Sequence, residues 1–166
     1  MIFIGLDPGV NTGYSVIRYH GGYPVEDNCE ILTSGEFRAD IGDPFSVMLN
    51  LERLKDYVPD DEEVIVGVEN QYMDPGKVQA GKKRGGNFQS MKGVMVTSGM
   101  LILGAMIIFG VVAQRPYPSS WQSRFGISGK REQRKRQAKK KVLLLFGLKA
   151  KTDRAEAILI SVYLAM

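Results

Sequence analysis

Apolar residues in this chain fall into short runs closed by turn residues and longer stretches with helical spacing. "IFIGLD" (2–7) is an apolar run stopped by Asp-Pro-Gly, the mark of a strand entering a turn. "TGYSVIRY" (12–19) alternates well enough for a second strand, so the two predict a hairpin. A third strand is expected within 29–38. "PFSVMLNLERLKDY" (44–57) has helical spacing at Phe45, Met48, Leu51 and Leu54. "EVIVGVE" (63–69) is a β-branched run, read as a buried strand, and "DPGKVQAGKKRGGN" (74–87) reads as a mobile loop. A helix over about 88–107, a strand over about 110–115, a basic helix over 130–146 and a last helix from near Asp153 complete the order. Three antiparallel strands followed by alternating helices and strands predict an α/β layer fold with a mixed sheet of five strands. At 166 residues the chain is long enough for one domain with its own core.

Charge changes this picture. The net value is only +4, but residues 1–75 carry 4 basic and 15 acidic side chains, whereas 76–166 carry 18 basic and 3 acidic ones. A one-signed surface of that kind suits a polyanion such as nucleic acid. The densest segment, 130–141, has eight Lys or Arg in twelve residues, and a second cluster lies at Lys82, Lys83 and Arg84. Such runs also occur as solvated faces or targeting signals. Residues 93–114 are uncharged and long enough to cross a bilayer, but four glycines and the break at Phe109-Gly110 favour a buried helix followed by a strand, with no membrane partner. No signal-like run opens the chain, and the single cysteine, Cys29, excludes an internal disulfide and a cysteine metal cage. Both points predict a cytoplasmic protein. "GISGK" is not a phosphate-binding loop, because Arg124 stands where its first glycine is needed, and no nucleotide cofactor is expected.

Two strands share a pattern. "GLD" sets Gly5 two residues before Asp7, and "GVE" sets Gly67 two residues before Glu69. Each acid shares a sheet face with its glycine, which leaves space for a ligand or another backbone. If the strands are neighbours, so are the acids. Asp153 and Glu156, two of the three acids in the basic part, lie one helical turn apart. Taken singly, Asp7 suits a turn, Glu69 a solvated strand end, and the last two a helix start. Taken together, four carboxylates can hold two Mg²⁺ ions, with Mn²⁺ a substitute, and such a pair cleaves phosphodiesters.

"FIGLDPGVNTGYSVI", "VGVENQYM" and "TDRAEAILIS" resemble, in order and spacing, the three acidic motifs of the RuvC family of Holliday junction resolvases. The resemblance covers nearly the whole chain. It implies an RNase H-like fold, a homodimer, and Mg²⁺-dependent paired nicking of four-way or branched DNA. It makes Asp7, Glu69, Asp153 and Glu156 the metal ligands. Tyr72 falls where the family commonly has an aromatic near the junction bases. Lys82, Lys83, Arg84, Lys130, Arg131, Arg134 and Lys135 are expected to contact DNA. Glu156 stands where the bacterial pattern usually has Asp, and Trp121 falls near a position where bacterial members carry Lys. With the dense basic segment, these departures point to a viral or divergent member. Other readings stay open at this level: a broader branched-DNA or flap nuclease, a non-catalytic junction-binding protein, or an actin- or sugar-kinase-like ATPase.

Overall fold

A computed structural model describes the backbone over residues 1–70 and 85–166, with side chains described outside 71–91. Strand β1 (Ile2–Asp7) pairs antiparallel with β2 (Asn11–Tyr19), in a register that sets Asp7 opposite Gly13. Strand β3 (Cys29–Arg38) continues the meander, with an irregularity between Val16 and Ile17. The chain then forms helix α1 (Pro44–Glu52), capped by Asp43, and one further turn before β4 (Val64–Val68). Strand β4 lies parallel to β1, pairing Gly5 with Gly67 and Leu6 with Val68, and the sheet order is β3-β2-β1-β4. Helices α2 (Gly85–Phe109), α3 (Pro118–Arg124), α4 (Arg131–Phe146) and α5 (Thr152–Leu164) follow.

Among the described residues the sheet is mixed, as expected, but has four strands and not five. Residues 110–115 are reduced to one parallel bridge between Gln114 and Gly67, held by hydrogen bonds of 2.8 Å from Gln114 N to Val66 O and 2.9 Å from Val68 N to Gln114 O. The cause is local. Pro116 has no N–H to extend the ladder, and only its carbonyl is used, accepting from Asn70 N at 2.9 Å. On the other side Val112 is 78% exposed, just after the left-handed Gly110 that ends α2. Helix α3 was not legible in the sequence.

Alternation along the strands divides the core. Ile2, Ile4, Leu6, Val66 and Val68 face α1 and α2, where they meet Val47, Leu51, Leu101 and Ala105. Phe3 and Ile17 face the opposite layer, packing with Trp121, Val142, Ile158 and Val162 of α3, α4 and α5. Each large side chain buried this way contributes roughly 1.5–3 kcal/mol. Helix α2 is only in part the buried helix expected, with Leu101 and Ala105 in the core. Its segment Lys92–Phe109 is long and apolar enough to span a membrane by composition, yet only a third of it is buried. It has one layer to pack on, so Met95, Leu103, Met106 and Ile107 remain exposed.

The strand glycines serve backbone contact. A Cβ on Gly5 would overlap the Ala157 carbonyl and stand 2.6 Å from Ser161 N, and one on Gly13 would overlap the Asp153 carbonyl. Their absence lets α5 lie directly on β1 and β2. Beside Gly67 the neighbour is the side chain of Leu164.

Candidate functional site

Asp7 ends β1, and Glu69 follows the last residue of β4 on the adjacent parallel strand. The Glu69 amide donates to Leu6 O at 3.0 Å, so the two acids stand side by side at the carboxyl ends of their strands. Crevices at that edge are where open α/β sheets bind ligands. Both side chains are on the α5 face and nearly buried, at 8% and 7% exposure. Helix α5, seated by Gly5 and Gly13, brings its first turn to the same place. Carboxylate oxygens of Asp7, Asp153 and Glu156 all lie within 4.8 Å of one another. Glu69 joins these three in lining a groove of about 510 Å³. It accepts a hydrogen bond of 2.9 Å at Oε1 from the buried indole Nε1 of Trp121.

The electrostatics follow from this crowding. Burial pushes the Asp7 carboxyl well above its ordinary range, and Glu69, Glu156 and Asp153 push it further. Glu69 is raised to about 7, chiefly by burial and then by Glu156, against the opposing pull of Trp121 and Arg134. Burial also raises Glu156 and Asp153, while Lys135 and Arg131 pull both back. Such a set binds protons or cations readily, because either removes like-charge repulsion. Oxygen donors at this spacing fit a hard divalent ion such as Mg²⁺ or Mn²⁺.

The opposite wall is basic. Arg131, Arg134 and Lys135 of α4 line the groove. Arg134 Nη1 donates to Gln122 Oε1 at 2.9 Å, whereas its buried Nε has no partner among the described residues. Lys130 caps α4 outside the groove lining. Tyr72, Lys82, Lys83 and Arg84 lie outside the described residues. Reading the sequence missed the parts of Trp121 and Gln122, neighbours on α3 that touch the acidic and the basic wall respectively. The available signal was general: a buried indole N–H needs an acceptor. A larger cleft, of about 570 Å³, lies away from these acids between α1, the end of α2 and the start of β4.

The raised carboxyls fix the sign of a pH dependence. Glu69 holds its proton up to about pH 7 in the folded chain, against an ordinary 4.5. Between those values the folded state binds more protons than the unfolded one. The contribution of Glu69 to metal-free stability is therefore full below about pH 4.5 and falls as pH rises toward 7. Thermal unfolding in chelator should show Tm declining from pH 5 to 7, with the raised Asp7 carboxyl adding a loss of the same sign. Saturating Mn²⁺ should remove the decline, because the ion favours the ionised form. A metal-free Tm that climbs through this window would contradict the assigned burial.

No family model matches the sequence, and no curated protein matches it. Solved structures do match. The Thermus thermophilus RuvC structure superposes with a TM-score of 0.67 at 18% identity, covering 98% of this chain and 92% of that one. The same values hold for T. thermophilus RuvC in complex with Holliday junction substrate. Two strand-end acids, the first turn of α5 and the basic helix α4 thus meet in one groove, on a chain that has the RuvC fold.

Proposed function

We propose that this protein is a divalent-metal-dependent endonuclease that resolves four-way DNA junctions by paired nicking. One observation carries the reading: in a RuvC-like fold, three convergent carboxylates face a basic helix across a single groove. A solved structure with this fold is a complex with a Holliday junction substrate, which supports branched DNA as the ligand. On this reading Asp7, Asp153 and Glu156 hold metal, with Glu69 completing the set for two ions. Bound there, the ions would supply an activated water and a counter-charge for the leaving oxygen. Arg131, Arg134 and Lys135 seat the phosphate against the acids and offset its charge. Lys130, Lys82, Lys83 and Arg84 extend the contact along the backbone, and Tyr72 stacks on an unpaired base.

Residues 1–166 act as one nuclease domain in this account, working in the cytoplasm of a bacterium or virus-infected cell. Two equivalent strands must be cut, which a two-fold dimer does most directly. The exposed apolar face of α2 supplies a surface for it.

The test is to incubate the protein with labelled four-way, Y-shaped, flap and linear DNA, with and without Mg²⁺. Symmetric nicks in the four-way substrate, dependent on Mg²⁺, are expected. Equal cutting of all branched forms would widen the substrate class. Tight junction binding with no cleavage in Mg²⁺ or Mn²⁺ would identify a binding protein instead.

A further inference from the structure

We infer that Trp121 is a positioning residue for the acidic cluster: its indole N–H orients the Glu69 carboxylate, so that divalent-ion affinity depends on a hydrogen bond supplied by α3. The inference rests on the metal-binding reading proposed above. Trp121 is fully buried, and its ring packs in the core layer formed by Phe3, Ala155 and Val142. A ring held on that many sides cannot swing with the carboxylate, so the donor is a fixed point. Its bond to Glu69 Oε1, 2.9 Å and buried, selects one orientation of a side chain that otherwise has three rotatable bonds.

The chemistry of the donor matters as much as its place. An indole N–H only donates. It carries no charge, takes no proton and cannot itself bind a hard cation. It therefore orients Glu69 while leaving the full negative charge of the cluster to act on an ion. A lysine at this point would orient the carboxylate and neutralise it together. A carboxylate has lone pairs for more than one partner, so the Trp121 bond is compatible with metal ligation. Helix α3 is also well placed to hold both walls in register. Its next residue, Gln122, accepts from Arg134.

A buried tryptophan that merely satisfies its own N–H predicts a loss of stability and nothing else. The discriminating variant is Trp121→Phe, which keeps most of the ring burial and removes the donor. Mn²⁺ alone, without DNA, is titrated into each protein by calorimetry, with Tm recorded in chelator. Affinity should fall by about 10- to 100-fold, the usual effect of losing a partner that orients a ligand. Wild-type binding with an unchanged Trp121→Phe affinity overturns the positioning role, whatever happens to Tm. Absence of Mn²⁺ binding in the wild type overturns the metal reading itself, and the inference with it.

The wild-type chain offers a second measurement should that variant fail to fold. Trp121 is its sole tryptophan, so the single indole N–H resonance in a ¹⁵N-labelled sample reports this one hydrogen bond. Mg²⁺ should shift that resonance, half-saturating at the Kd that a calorimetric titration with Mg²⁺ gives, and Glu69→Gln should abolish the shift. A resonance that stays in place while Mg²⁺ binds would overturn the inference.

Discussion

Asp7→Asn should reduce Mg²⁺-dependent cleavage of a four-way junction by several orders of magnitude while leaving the protein more stable in chelator. Asp7 stands in the tight group with Asp153 and Glu156 and beside Glu69, and it is nearly buried. The amide has the same shape but cannot ionise. Folding then no longer forces a carboxyl into a crowd of three others, so the metal-free Tm should rise by a few degrees. Junction affinity should hold or increase, since less negative charge faces the phosphates. A strained or misfolded variant would lose stability and activity together, so the opposite signs separate the two explanations. Glu156 extends the test. Glu156→Gln should behave like Asp7→Asn if the carboxylate is a ligand. Glu156→Asp shortens the reach from α5 by about 1 Å, and Mn²⁺, less strict in geometry, should recover part of the lost rate. Cleavage by Glu156→Gln at the parent rate would leave the last helix with a single ligand, Asp153.

Gly13→Ala should disrupt the same site through the backbone. A Cβ there would overlap the Asp153 carbonyl and stand 3.0 Å from Arg154 N, and neither atom can rotate away. Either α5 lifts from β2 or the hairpin bends. Overpacking of this kind costs roughly 1–3 kcal/mol. Because Gly13 pairs with Asp7 and touches the turn that carries Asp153, the displacement reaches two of the clustered acids. Mn²⁺ affinity and Tm should therefore fall together, unlike the Asp7→Asn result. Gly99→Ala is the control. Gly99 is exposed on α2, with no atom of a described residue within 4 Å of an added Cβ. For the fold of the single chain, apart from any dimer contact made by the exposed face of α2, that change should be neutral or stabilise by about 0.5–1 kcal/mol through helix propensity. Equal losses at Gly13 and Gly99 would show that close approach of α5 is not what Gly13 provides.

Local pattern in the sequence determined a good deal. The hairpin of β1 and β2, the alternation that divides the core, the basic helix α4 and the one-turn spacing of Asp153 and Glu156 all follow from residues within a few positions of one another. The pairing of "GLD" with "GVE" was legible only as a condition, that the two strands be neighbours. Tertiary structure met it by laying β4 parallel to β1, with Leu6 paired to Val68 far along the chain. It also decided what the glycines are for: Gly5 and Gly13 admit the backbone of α5, not a ligand. It left 110–115 as a single bridge, because Pro116 stops a ladder that the apolar run alone would extend. And it placed Trp121 against Glu69 on α3, a seven-residue helix too short to be stable before it packs. Periodicity, turns and charge are local properties and can be read along a chain. Which carboxylate meets which donor depends on layers that form only when distant apolar faces are buried together, and that burial is what built the groove.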